Sequence, residues 1–371
     1  MSITQVSPVV SSTPVVQGVT VRQTPERGQG SLGKHYGQLL HTPTQGVNRY
    51  LLQEIGKALM AASGQFQRYA SCMKGVTREI DIRRKGEGNA YFHGVWRCGL
   101  VWVCPVCASR IVRERRNELA EGVKASGLTP VMATLTIQHN AGGQLKELLR
   151  VLGGAWGRLT GDRWWQEFRG RYAVRHFVSS KEIRVSAETG WHPHLHILLL
   201  CEGMPNADAM RGELAERWAF KVAGRGGYAS VYHGVEVVGG DAGLASYLFK
   251  WDAVSELVMG AYKAGRTDSY SPFQLLLKSL DDPQAGRWFV EYARSTFGMR
   301  QLNFSKGMRK ALTIGDGVEE LPEGWEVLAR LAREAYNLLR VRGKSQEMLD
   351  VASQHGQAGI DALIGQVVSE G

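Results

Sequence analysis

Apolar residues recur every three or four positions in some stretches of this chain and every second position in others. The change of period separates helix from strand. Leu51, Leu52, Ile55, Leu59 and Met60 form a helical stripe over Tyr50–Ala62, and Val112, Leu119 and Val123 mark a second over Ala108–Ala125. The other faces of that second helix carry Arg110, Arg113, Arg115 and Arg116. Pro130–Gln138 reads as a strand and Leu145–Trp156 as a helix. Ala173–Val185 and His192–Cys201 read as strands joined through the turn Ala187-Glu188-Thr189-Gly190, which predicts an antiparallel hairpin. A helix over Asn206–Val222, a strand over Ala229–Val238, a helix resuming near Gly243 and a strand over Arg300–Ser305 follow. The tail from Glu323 is predicted helical, with Leu328, Leu331, Ala335 and Leu338 on one stripe and Ile360, Leu363, Ile364 and Val367 on another.

The central order β-α-β-β-α-β predicts an α+β fold, an antiparallel sheet with helices packed on it in the ferredoxin-like manner. Around it the composition changes. Residues 1–45 are rich in Ser, Thr, Val, Pro and Gly without helical period and read as a disordered leader. The expected organisation is a leader over 1–45, a cysteine-bearing basic segment over 46–127, the α+β unit over 128–310 and a helical region over 311–371.

The 371 residues carry a formal charge of +10, which favours a polyanionic partner, most commonly nucleic acid. The first basic residue is Arg22, so the start lacks the charged region of a signal peptide. The apolar run Ile197–Leu200 is far short of the ~20 residues of a membrane helix. The five cysteines, an odd number with three clustered, fit metal binding in a reducing compartment better than a disulfide framework. A cytoplasmic location with no membrane partner is the expectation.

The sharpest chemical signal is Trp191-His192-Pro193-His194-Leu195-His196. Side chains alternate along a strand, so His192, His194 and His196 share one face while Leu195, Ile197 and Leu199 take the other. Imidazoles two residues apart reach one ion, and neutral imidazole suits several divalent metals. A third ligand belongs on a neighbouring strand: Glu182 on the preceding strand is the first choice, with Glu188 and His139 behind it. Some fifty residues later comes Tyr247-Leu248-Phe249-Lys250, which on a helix projects Tyr247 and Lys250 together. An adjacent ammonium favours the phenolate of a side chain whose ordinary pKa is near ~10.

Three elements in this order, the strand Thr134–Gln138, His194-Leu195-His196 and Tyr247-x-x-Lys250, resemble the motifs of the HUH endonucleases, closest to the rolling-circle replication initiators of small plasmids. The resemblance covers about residues 70–310. It implies Mn²⁺ or Mg²⁺ held by His194, His196 and Glu182, with His192 orienting a ligand, Tyr247 as nucleophile and Lys250 offsetting charge on the phosphate. It also implies single-stranded or hairpin origin DNA as substrate, a 5′-phosphotyrosine intermediate, and a host helicase and polymerase as partners. One departure stands out. Initiators of this branch often place an acid four positions before the tyrosine, where this chain has Gly243; the nearest acids are Asp241 upstream and Asp252 and Glu256 downstream.

Cys98-x5-Cys104-x2-Cys107 with Cys72 upstream predicts a structural Zn²⁺ site, since a two-residue gap lets both thiolates reach one tetrahedral ion. Around it Arg83, Arg84, Lys85, Arg97, Arg113 and Arg116, interleaved with Tyr91, Phe92 and Trp96, form a candidate DNA surface on which rings stack and cations follow phosphates. Rival readings are a relaxase, whose tyrosine usually precedes the histidine motif, a single-strand transposase, a non-catalytic zinc DNA-binding regulator, and a metal-dependent amidohydrolase. The last needs two further histidines and an aspartate on later barrel strands, but only His233 and His355 follow His196.

Overall fold

The computed structural model describes residues 48–61, 66–86, 88–239, 269–315 and 325–370. Its first element, α1 (Arg49–Met60), is capped by Asn48, whose side chain accepts the Tyr50 N–H, and buries Leu52, Ile55 and Met60. A one-turn α2 (Gln67–Ala70) precedes the hairpin β1 (Glu79–Lys85) and β2 (Tyr91–His93). Next comes α3 (Pro105–Ser126), which starts one turn earlier than the apolar stripe predicts. Cys104 caps it through its thiol, Pro105 occupies the first turn where its missing N–H costs nothing, and Gly127 ends it at φ 66°.

The α+β unit follows as β3 (Thr129–Thr136), α4 (Leu145–Thr160), α5 (Arg163–Arg171), β4 (Val174–Ser186), β5 (Gly190–Cys201), α6 (Ala207–Ala223) and β6 (Val235–Val238). Beyond it lie β7 (Ser269–Tyr270), α7 (Pro272–Lys278), α8 (Pro283–Thr296), β8 (Leu302–Phe304) and α9 (Met308–Ala311). The chain closes with β9 (Trp325–Ala332), α10 (Arg333–Val341) and α11 (Ser345–Ser369).

The larger sheet runs β6-β3-β5-β4-β7, with β8 also on β4, and every pairing is antiparallel. The β4–β5 hairpin is the expected one. Ser186 Oγ accepts the Thr189 N–H at 2.9 Å inside the turn. Gly190 then turns back at φ 74°, where a Cβ would come within 2.6 Å of Asn140 O, so only glycine fits. Leu195, Ile197 and Leu199 join Ala133 and Leu135 in a core with Leu152, Ala155, Leu159, Leu214 and Trp218 from α4 and α6. The alternate residues Leu198 and Leu200 join Met132 and Val178 in a second core with Val112, Leu119 and Val123 of α3. Both faces of this end of β5 are therefore covered, which is why it reads as an unbroken apolar run.

Three local expectations are corrected. Ala229–Val238 is strand only over Val235–Val238, because Ser230 Oγ accepts the N–H groups of Tyr232 and His233 and folds the preceding residues into a turn. The helix α5 appears where none was expected, started by Asp162 accepting the Trp164 N–H. The tail is not helical throughout: Trp325–Ala332 pairs antiparallel with β1 in a separate sheet of order β2-β1-β9. Leu328 and Leu331 fit a helical spacing, but Ala329 and Leu331 are the buried pair, which is strand alternation. The exposed edge of β1 supplies hydrogen bonds that an isolated segment lacks, so pairing overrides local propensity. The second expected stripe holds, with Ile360, Leu363 and Val367 buried on α11. No helix among the described residues is long and apolar enough to cross a membrane.

Candidate metal centres

Four cysteines converge. Cys72 follows α2, Cys98 follows β2, and Cys104 and Cys107 sit at the cap and first turn of α3. Hydrogen bonds from Met73 N to Trp96 O and from Trp96 N to Lys74 O, both 2.7 Å, clamp the Cys72 and Cys98 segments together. The sulfurs of Cys72 and Cys104 are 3.8 Å apart, those of Cys72 and Cys107 3.5 Å, and those of Cys98 and Cys107 3.6 Å. A tetrahedral Zn²⁺ with bonds of about 2.3 Å requires sulfurs about 3.8 Å apart, whereas a disulfide would need about 2.05 Å. All four cysteines are free and buried, and their ligand atoms lie within 4.8 Å of one another. The set fits a metal ion such as zinc.

The surroundings fit it too. Gln53 Nε2 donates to Cys104 Sγ at 3.0 Å, and the Cys107 N–H points to the same sulfur at 3.4 Å. Such N–H···S contacts stabilise a thiolate. Burial pushes the Cys104 thiol up, while hydrogen bonds from the other thiols hold Cys72 well down. Four buried sulfurs sharing protons in this way become four good ligands once a cation neutralises them. The fifth cysteine, Cys201, lies apart in the core of the larger sheet, where burial pushes its thiol up to about 12.

The histidine row lies on β5. Pairing sets His196 between Thr134 and Ser180, His194 between Thr136 and Glu182, and His192 opposite Arg184. Glu182 is thus opposite His194 rather than His196, yet its side chain reaches diagonally, and His196 Nε2 lies 2.8 Å from Glu182 Oε2. The other carboxylate oxygen accepts from Arg184 Nε at 2.7 Å. His196 Nδ1 lies 3.2 Å from Thr134 Oγ1, so both ring nitrogens have partners. The rings of His194 and His196 are nearly parallel with centroids 6.1 Å apart, and the His192 ring lies tilted between His194 at 4.0 Å and His139 at 4.1 Å. His139 Nδ1 is engaged with Thr189 O, and Glu188 is exposed in the turn, so of the three acidic or imidazole candidates only Glu182 meets His196. Two imidazoles and a carboxylate on adjacent strands have the chemistry of a divalent-ion site. Among the described residues only the four cysteines bring three or more ligand atoms within 4.8 Å of one another, so the histidine row is the more open set, and Arg184 shares its Glu182. Thr134 and Arg184 were not foreseen; they emerge only once register is known.

Burial, reinforced by its neighbours' charge, pushes His194 down to about 3 and His192 down to about 4 from the ordinary 6.5. Both are neutral at neutral pH, the form that binds metal. Below 6.5 the unfolded chain binds protons that the folded chain refuses, so stability should fall as pH drops from about 6.5 towards 4. Thermal melts with no manganese or magnesium added should show this loss, and His194→Gln should flatten it. A melting temperature flat across that range in the parent chain would contradict the buried neutral row.

Tyr247 and Lys250 lie outside the described residues, as do the expected leader and Asp241, Gly243, Asp252 and Glu256. The basic residues are scattered over the zinc-type module and mostly engaged. Arg83 pairs with Asp81 at 2.6 Å and Arg84 with Glu326 at 3.1 Å, while Lys85 is exposed at the end of β1. Arg97 donates to Phe92 O at 2.6 Å, Arg113 lies over the Tyr91 ring at 5.2 Å, and Arg116 is half-buried on α3. Among the aromatics, Phe92 is core, edge-on to Tyr50 and Tyr336, and so cannot stack on a base; Trp96 is exposed.

No family model matches the chain, and no solved structure matches it. Two proteins of known name are similar to it. A protein of Streptomyces lividans named "Protein rep" is 25% identical over 320 residues, which takes in 65% of this chain and 69% of that one. A "Neomycin resistance protein" of Streptomyces cyanogenus is 28% identical over 161 residues, covering 36% of each chain.

Proposed function

We propose that this chain is a plasmid replication protein of the HUH type, a metal-dependent nickase that opens one DNA strand for rolling-circle replication. The observation that carries the proposal is the contact of His196 with Glu182 at 2.8 Å, beside His194, on a β-α-β-β-α-β sheet of order β6-β3-β5-β4. That order is the one a ferredoxin-like HUH core needs, and the likeness to a protein named for replication supports the same reading.

In this reading Glu182, His194 and His196 hold Mn²⁺ or Mg²⁺, which when bound polarises the scissile phosphate. Thr134 orients His196 from behind, and His192 braces His194. Arg184 donates to Glu182 and holds it aimed at the row. The Tyr247 oxygen attacks phosphorus, the bond to the 3′ oxygen breaks, and that oxygen leaves as a 3′-hydroxyl while the 5′ end stays on the tyrosine. Lys250 offsets charge on the phosphate. A host polymerase extends the 3′-hydroxyl and a host helicase unwinds ahead of it. The cysteine module, with Zn²⁺ in place, would fix the start of α3, whose Val112, Leu119 and Val123 join the core beneath the larger sheet.

The test is a denaturing gel of labelled origin single strand incubated with the full chain, with and without Mn²⁺. Cleavage should require the ion and fall about 100-fold in His196→Ala and in Glu182→Gln, as loss of a ligand or its support predicts. Cleavage indifferent to the added ion and to both substitutions would refute the site. Binding of origin DNA without cleavage on any strand would favour the second reading, a zinc-stabilised DNA-binding regulator, for which the well-formed cysteine site speaks.

A further inference from the structure

The histidine row has an aromatic neighbour that the proposed mechanism does not use. Between α6 and β6, Tyr228 is 61% exposed, Val231 41% and Tyr232 79%. Isolated exposed apolar residues are ordinary. These three fall within five positions, and the loop that bears them is pinned. Ala229 is buried between the two tyrosines, and a Cβ on Gly227 would meet Val151 at 2.7 Å. Gly234 N donates to Ser230 O at 2.7 Å, closing the turn around Tyr232.

The pinning sets the loop beside the site. Gln138 N donates to Tyr228 O at 2.8 Å and Thr136 N to Gly234 O at 2.9 Å, so both ends of the loop are tied to the end of β3. Thr136 is the residue opposite His194 and shares its face. Its Oγ1 lies 3.5 Å from His233 O and 3.4 Å from Gly234 O. The loop therefore borders the face that bears the histidines, about two strand spacings of roughly 4.8 Å from β5. Of the cations on the approach to the loop, Arg217 and Lys221 share Asp162, while Arg225 follows the end of α6.

We propose that Tyr228 and Tyr232 are a stacking platform for unpaired bases of a DNA strand whose phosphate lies at the Glu182–His194–His196 row. The inference rests on the nickase reading and adds to it how the strand is positioned. Exposed rings on a loop pinned beside the row suit a strand with flat apolar faces, and every base has such a face. These are positioning residues and touch no reacting atom.

The probe is a fluorescein-labelled oligothymidylate, titrated with the full chain by anisotropy, against a duplex of the same length. Tyr228→Ala and Tyr232→Ala should each weaken single-strand binding by about 5- to 100-fold, the usual value of one stacked base, and leave duplex binding within about twofold. Tyr232→Trp should restore it, which a merely structural defect would not allow. Replacing successive nucleotides by abasic ones should abolish the difference between parent and Tyr232→Ala at one or two positions only. Unchanged single-strand binding in both alanine variants would overturn the platform and leave the nickase reading standing, provided Mn²⁺-dependent cleavage persists. Parent protein that binds no single strand would overturn both.

Discussion

Cys104→Ser should lose the metal and with it the fold of the segment from α1 to α3. Cys104 is fully buried, as Cys72 is, and it alone is also the cap of α3 and the acceptor from Gln53 and the Cys107 N–H. A structural zinc contributes about 10–16 kcal/mol at neutral pH, as much as the roughly 5–15 kcal/mol that holds a whole domain together. The metal would tie the Cys72 and Cys98 segments, clamped to each other through Met73, Lys74 and Trp96, to the first turn of α3. Metal analysis of the purified chain should find about one zinc per molecule in the parent, by the four-thiolate stoichiometry, and almost none in the variant. Limited proteolysis should cut the variant between Cys72 and Cys107, and a strong chelator should reproduce that pattern in the parent. A parent free of zinc and resistant to chelator would show the four thiols to be ordinary core. The consequences should spread to the tail, because β9 pairs with β1 and Tyr336 of α10 donates to Met73 O at 2.8 Å, next to Cys72.

Tyr247→Phe should abolish the covalent protein–DNA adduct altogether, because phenylalanine has no oxygen to form the phosphate ester. DNA binding should change by about twofold at most, since the substitution removes one hydroxyl and keeps the ring. The adduct is read as a shifted band on a denaturing protein gel with end-labelled origin strand, and the labelled peptide maps the attachment. An adduct that survives in Tyr247→Phe would move the nucleophile to another residue, and the labelled peptide would say which. Lys250→Ala should slow adduct formation without removing it, since an ammonium that offsets charge assists the step and does not form the bond.

The cysteine cluster and the histidine row were legible in the sequence to different depths. Cys98, Cys104 and Cys107 announce themselves by spacing, but Cys72 is more than twenty residues upstream, and only the clamp between Met73 and Trp96 carries it to the others. The histidine row follows from strand alternation alone. Its carboxylate does not: Glu182, Glu188 and His139 were all available, and the choice rests on the register of the β4–β5 pair. A slip of one residue would turn Glu182 to the opposite face. Thr134 and Arg184 were invisible for the same reason. The basic cluster was legible as composition and misleading as a surface, because Arg83 and Arg84 meet Asp81 and Glu326, the latter from the far end of the chain.

By itself, the sequence determined the local matters: the order of strands in the α+β unit and its helices other than α5, the shared face of His192, His194 and His196, the two-residue gap of Cys104 and Cys107, and the apolar run of β5. Each depends on period and spacing, which act over a few residues. Tertiary structure alone decided that Trp325–Ala332 is a strand, that Glu182 rather than Glu188 or His139 meets His196, that Thr134 and Arg184 join them, and that the loop of Tyr228 and Tyr232 is tied to the end of β3. These depend on which edges and faces meet across long loops, and there the energy of pairing and burial outweighs the local preference of any one segment.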